Sequence, residues 1–181
     1  MKNKFKTKGK VTEIYMTSSK YGQKTVLVDS EDLSLVSKYN WYVDKKYNND
    51  YFYCRSTRKP YIRLHRLIMK FPKNKVIDHI NHNTLDNRKE NLRICTNKQN
   101  TRNQTINKNN TSGIKGVSFY IKKRNGKIYK YWRSVIRYNN KLTTLGYFPY
   151  TEEGKIAAAK RYDQEAKKLF KEYALLNFPD Q

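Results

Sequence analysis

The chain has 181 residues and carries 39 Lys and Arg against 15 Asp and Glu, a formal charge of +24. That excess goes far beyond what solubility needs and points to a polyanionic partner, nucleic acid first and an anionic membrane surface second. No run approaches the roughly 20 apolar residues of a spanning helix, and MKNKFKTKGK has no apolar stretch after its lysines, so neither a membrane anchor nor a signal peptide is expected.

In chain order, residues 11–63 read as short strands and turns. KTVLVD (24–29) is β-branched and apolar, while NWYV (40–43) and YFYCRS (51–56) are rich in aromatics. The intervening DKKYNND has turn chemistry. SEDLSLVSKY (30–39) predicts a short helix capped by Ser30, with Leu33, Val36 and Tyr39 on one face. An apolar share of 37% with 16 tyrosines suits small, thin domains, because tyrosine fills a core with its ring and reaches water with its hydroxyl. Cys54 and Cys95 are the only cysteines; without a secretion signal they read as reduced thiols of a cytoplasmic protein.

YIRLHRLIMKF (61–71) places Leu64, Leu67, Ile68 and Phe71 at helical spacing, with Pro72 as the stop. His65 lies beside that stripe and reads as structural. VIDHI then reads as a strand, NHNTLDN as a turn containing His82, and LRIC as a second strand with Cys95 as a core filler. Thr96 and Gln99 form a capping box, so a helix should start at Asn97. The stretch TRNQTINKNNTSG (101–113) is almost without apolar residues and reads as an exposed linker. Three strand-like runs follow, at 116–122, 130–138 and 141–148, with turns at 124–127 and Asn139-Asn140. A helix over about 151–170 would turn Ala158, Tyr162, Ala166, Leu169 and Phe170 inward.

The strand-loop-strand-helix pattern carries the chemistry. Phosphodiester hydrolysis needs a base for the attacking water, neutralisation of the phosphate oxygens and stabilisation of the leaving oxygen. An imidazole titrates near neutrality and suits the first task. A hard divalent ion held by oxygen ligands suits the others. His79 is the candidate base, and Asp78 beside it is the candidate metal ligand, since neighbouring strand residues face opposite sides. Asn100, just inside the capped helix, offers an amide oxygen to close the metal site. Asn91, twelve residues after His79, can bond loop backbone and fix the loop. Arg93 and Arg102 are candidate phosphate contacts.

These residues resemble the HNH endonucleases, whose ββα-metal (His-Me finger) motif runs Asp-His, then Asn, then His or Asn. LHRLIM and VIDHINHNTLDNRKENLRICTNKQN are close to the form in phage and mobile-intron homing endonucleases, and the resemblance covers roughly 15–105. It implies Asp78 and Asn100 as metal ligands, His79 as general base and Asn91 as the loop-fixing residue. An amide at Asn100 favours Mg²⁺ or Mn²⁺ over Zn²⁺, and two cysteines without a Cys-x-x-Cys pair argue against the structural zinc of some relatives. His82 stands where the family usually has glycine.

In YWRSVIRY, Trp132, Ser134 and Ile136 should face the helix. Tyr131, Arg133, Val135 and Arg137 should face outward together with Ser118, Tyr120 and Lys122, where arginine could grip guanine in the major groove. GVSFYIKK, LGYF, AAAKRYD and LNFP make 113–179 similar to the plant Apetala/ethylene-response-factor DNA-binding domain, which implies groove binding by the sheet with Lys115, Arg133 and Arg137 on the DNA side. Ser118, Tyr120 and Val135 replace residues that are Arg or Glu in the plant proteins, so the plant target is not implied.

The reading is an α+β chain. A β-rich N-terminal region and nuclease domain occupy 1–103, with the motif at 76–103. A polar linker spans 104–112, and a three-stranded antiparallel sheet packed on one helix spans 113–181. The expected activity is site-specific cleavage of double-stranded DNA by a homing-type enzyme using one Mg²⁺ or Mn²⁺, without structural zinc, small-molecule cofactor or membrane. The gene would belong to a phage or mobile element, and the protein would be a monomer or homodimer. Its main rival is a catalytically silent, sequence-specific DNA-binding regulator. An RNA-binding protein and a purely basic structural protein are the others.

Overall fold

The computed structural model describes residues 1–45, 52–107 and 109–179. The chain divides into two compact units, Met1–Asn100 and Thr101–Gln181. In the first unit an antiparallel meander joins β1 (Phe5–Lys8), β2 (Val11–Ser18) and β3 (Gly22–Asp29) in that order. Period-two alternation gives β2 its inner face: Thr12, Ile14 and Met16 are buried, and their neighbours are not. Val26 and Val28 of β3 join them in the core.

The helix expected over 30–39 is broken. Ser30–Asp32 is a 3₁₀ turn, and α1 covers only Leu33–Val36. Ser30 does not cap it, because its hydroxyl donates to the Gly9 carbonyl at 3.0 Å and bonds Thr12 Oγ1 at 3.0 Å, tying the strand turn instead. Strand β4 (Trp41–Lys45) pairs antiparallel with β5 (Phe52–Ser56). Asp44 and Lys45, read as turn residues, lie in β4, and the rest of that turn falls outside the described residues.

The helix expected over 61–71 is also shorter, with α2 running from Leu64 to Ile68. Arg63 is extended and bridges Arg55, which delays the start. Lys70 and Phe71 take left-handed φ of 55° and 50°, so the helix ends before Pro72 acts, and Phe71 is left exposed. Leu64, Leu67 and Ile68 are buried against Val36, Trp41, Val43 and Cys54. The hairpin of β6 (Val76–His79) and β7 (Leu92–Cys95) follows, then α3 (Asn97–Arg102). The capping box forms as the sequence predicts: Gln99 N–H donates to Thr96 Oγ1 at 3.1 Å, and Thr96 N–H to Gln99 Oε1 at 2.8 Å.

In the second unit β9 (Lys127–Tyr138) runs between β8 (Val117–Arg124) and β10 (Lys141–Pro149), all antiparallel. Two-residue turns fix the register. Asn125-Gly126 and Asn139-Asn140 both have positive φ at each position, the type I′ geometry that matches strand twist. Helix α4 (Glu152–Phe170) is capped by Thr151, whose hydroxyl accepts from Gly154 N–H at 3.1 Å. Its Ala158, Tyr162, Ala166 and Phe170 are buried, with Leu169 partly so, against Val117 and Ile136 of the sheet. Gly116 is required at the start of β8: its φ is +74°, and a Cβ there would lie 1.9 Å from the Tyr162 ring.

The stretch expected as an exposed linker falls within this second unit and is partly built in. Ser112 is buried, and its hydroxyl donates to the Val117 carbonyl at 2.8 Å. The C-terminal LNFP is pinned as well. The buried Asp163 carboxylate accepts from the backbone N–H groups of Asn177 and Phe178, at 2.9 and 2.8 Å, and the Asn177 side chain brackets Lys115 on both backbone groups.

Candidate active site

Strand β6 ends in Asp78 and His79, both buried, with Asp78 opposite Arg93 and His79 opposite Leu92 on β7. The loop between the strands has few apolar residues and is held by polar side chains. Asn91 is buried; its Oδ1 accepts from Asn81 N–H at 2.9 Å and its Nδ2 donates to the Asp86 carbonyl at 2.8 Å. One amide thus ties two points of the loop together, and the Asp86 carbonyl would otherwise be costly to bury. Arg88 grips Asp86 with two bonds of 2.8 and 2.7 Å, a bidentate pair that fixes the carboxylate's plane. His82 has φ +64°, a left-handed conformation that glycine adopts more readily than histidine.

The loop also docks on the N-terminal sheet. Leu27 of β3 donates to the Leu85 carbonyl at 2.9 Å and accepts from Asn87 N–H at 2.8 Å. Lys89 ties the far end: its N–H donates to Asp29, and its ammonium pairs with Glu31 at 2.6 Å and Asp32 at 2.9 Å.

His79 is held through its ring. Nε2 lies 3.4 Å from Asn87 Oδ1, and Asn87 is fully buried. The Asn87 Nδ2 faces the Thr84 carbonyl at 3.4 Å, which sets the amide's orientation. With Oδ1 facing the ring, the contact fits the tautomer that carries its proton on Nε2 and its lone pair on Nδ1. Burial pushes the His79 pKa below its ordinary value, against the raising influence of the Asn87 bond and of the Asp78 and Asp86 charges. The ring is thus kept in the form a general base needs. The ring of His65 stands perpendicular to that of His79, with centroids 5.3 Å apart.

Asp78 Oδ2 receives Nε and Nη2 of Arg93 at 2.9 and 2.7 Å. Arg93, read from sequence as a phosphate contact, is thus paired with Asp78. Asn100 sits half-buried in α3, its N–H donating to the Thr96 carbonyl at 2.9 Å. Asp78 and Asn100 are both hard oxygen donors, a set that suits Mg²⁺ or Mn²⁺. Among the described residues no group of three or more His, Cys, Asp and Glu could hold a metal without such an amide. The Asp78–Arg93 pair makes a direct prediction. Arg93→Ala strips a buried carboxylate of its guanidinium, which costs about 3–5 kcal/mol for a one-sided break of a buried pair. We expect a lower denaturation midpoint in chelator and partial recovery in Mg²⁺. A variant that melts like the parent in chelator removes the pair from the site's framework.

In the second unit Lys115 and Arg102, both expected to meet nucleic acid, make bonds within the chain. Lys115 bonds local backbone. Its ammonium donates to the Arg102 and Gln104 carbonyls at 2.7 and 2.6 Å, and burial lowers its pKa to about 8. Arg102 likewise donates to the Arg137 carbonyl at 2.8 Å and stacks over Phe170 at 4.4 Å. Both hold chain to chain because long cations reach local carbonyls and rings before solvent. The outward sheet face gathers the others. Arg133 stacks over Tyr120 at 5.2 Å and lies 3.4 Å from Ser118 Oγ. Lys122 and Arg137 are exposed. Tyr147 of β10, missed in the sequence, packs on Tyr120 with centroids at 4.9 Å and on Tyr131 at 6.2 Å. Its signal was its register with Arg133. Asn87 was missed too; its only trace was the dipeptide Asp86-Asn87 within the loop.

Residues 63–102 match the HNH endonuclease family. An uncharacterized HNH endonuclease of Acanthamoeba polyphaga mimivirus is 33% identical over 171 residues, covering 91% of this chain and 81% of that protein. The alignment is long enough to extend through both units. No solved structure matches the chain, and among the described residues no helix is long and apolar enough to cross a membrane. With Asp78 and His79 closing β6, Asn91 stapling the loop, Asn100 on the helix that follows, and likeness to the viral protein along nearly the whole length, this chain belongs to the HNH endonuclease family.

Proposed function

We propose that the protein is a site-specific, homing-type endonuclease that hydrolyses phosphodiester bonds of double-stranded DNA with one divalent ion. The observation that carries the reading is the buried His79 imidazole, held by Asn87 at the end of β6 beside the Asp78 carboxylate. Nδ1 of His79 takes the proton of the attacking water. Asp78 and Asn100 would hold Mg²⁺ or Mn²⁺, which when bound neutralises phosphate charge and stabilises the leaving oxygen. Arg93 keeps the Asp78 carboxylate turned to its task, and Asn91 keeps the loop closed. One such site cuts one strand at a time, so a monomer nicks and a dimer breaks both strands.

The second unit is the reader in this proposal, of the Apetala/ethylene-response-factor kind. What supports it is a face that mixes cation and flat ring: Arg133 with Tyr120, Tyr131 and Tyr147, flanked by Lys122 and Arg137. Joining a reader to a cutter raises the cutter's local concentration at one sequence. The test of the whole is cleavage of supercoiled plasmid with and without Mg²⁺, with target sites recovered from a random DNA library. Arg133→Ala should lose preference for recovered over random sequence by about 10- to 100-fold, the worth of one bidentate base contact, while nicking of random plasmid stays as it was. An unchanged preference removes Arg133 from readout, and a protein that selects sites yet never cuts them with metal is the silent regulator.

A further inference from the structure

We infer that His65 is a positioning residue for the general base: its ring, set perpendicular against that of His79, fixes the angle at which the imidazole meets the attacking water. The inference rests on the assignment of His79 as base. The Asn87 contact is long, 3.4 Å from Nε2, and so holds that angle only loosely. Nδ1 swings with any rotation of the ring about its Cβ–Cγ bond. A flat ring packed at 89° to the imidazole, centroids 5.3 Å apart, blocks the roll that the hydrogen bond permits.

His65 is itself fixed. It is buried, with 6% of its surface exposed, on a helix whose Leu64, Leu67 and Ile68 are set in the core. The ring of Tyr53 on β5 backs it, with centroids 6.2 Å apart and planes at 64°. Three rings therefore run from the β4–β5 hairpin to the base. Burial and the neighbouring cations push the His65 pKa down to about 3, so this ring stays neutral and sets no second charge beside a protonated His79.

The test compares full-length His65→Phe, which keeps a flat ring, with His65→Leu, which fills the space without one. Both are measured against the parent and His79→Ala for single-turnover nicking of supercoiled plasmid in Mg²⁺, and for plasmid affinity in chelator. Phe should cut within about threefold of the parent. Leu should be slower by about 10- to 100-fold, the scale of a small misplacement of a reacting group, with affinity unchanged for both. The chain has only three histidines, so side-chain NMR reads the base directly. His79 should give one sharp set of ring signals in the parent and the Phe variant and broadened signals in the Leu variant. Leu cutting as fast as Phe while His79→Ala is inactive, or identical His79 signals in both variants, overturns the positioning role. Parent-like cutting by His79→Ala overturns the base assignment instead.

Discussion

Replacing His79 with alanine leaves a protein that grips DNA as before and cuts it 10²- to 10⁴-fold more slowly, the range a positioned general base contributes. Affinity stays because it comes from a surface of net charge +24, through counterion release, and not from a buried neutral ring. Filter binding in chelator and single-turnover nicking in Mg²⁺ separate the two quantities. Parent-like nicking sinks the assignment. The pH profile follows from the direction of the His79 shift. Burial lowers its pKa, so the lone pair is available at and above neutrality and is lost only as pH falls below the ordinary histidine range. The rate is therefore flat near neutrality with an acid limb displaced downward. Stability moves the same way. The unfolded chain takes protons on His65 and His79 from about pH 6.5 downward, whereas the folded chain resists until lower pH, about 3 for His65. Stability is full above the unfolded value and falls with acid, by up to about 1.4 kcal/mol per pH unit for each proton. The rate must accordingly be measured where circular dichroism shows an intact fold.

Asn91→Ala is the second large effect. It leaves the Asn81 N–H and the Asp86 carbonyl without the side chain that serves both. Asn81 is exposed and its N–H can turn to water, whereas the Asp86 carbonyl is buried; one abandoned buried group costs about 1–3 kcal/mol, and denaturant unfolding should show a loss of that size. The loop also carries Asn87, so the base loses its anchor, and a displacement of about 1 Å suffices for a 10²-fold loss of rate. DNA affinity should again be kept. Near-parent stability together with near-parent rate would show that the loop holds its shape without this amide.

The local signals in the sequence were strong wherever one residue pair decides a local geometry. Thr96 and Gln99 announce α3, Asn125-Gly126 announces a tight hairpin, and the alternation of Leu92 and Ile94 with Arg93 announces a strand. Phe71 shows where periodicity fails: the spacing is right, but backbone at Lys70 and Phe71 turns left-handed and takes the ring off the helix. Ser30 shows a second failure. It reads as a cap, yet its hydroxyl finds a backbone carbonyl closer at hand. The candidate site was half legible. The proposed residues Asp78, His79, Asn91 and Asn100 stand at telling intervals, whereas the contact of His65 with His79 and the docking of Leu27 on the 85–87 segment join residues with no common local pattern.

That docking has a consequence for how the site breathes. Because Leu27 bonds both Leu85 and Asn87, the cutting loop is an additional rung on the N-terminal sheet. It has no inexpensive private fluctuation: isotope uptake at the Leu27 and Asn87 amides, and protease nicking nearby, wait for the sheet itself to open. A fragment trimmed to residues 63–102 would lack that rung and would carry the cutting residues on a loop free to wander.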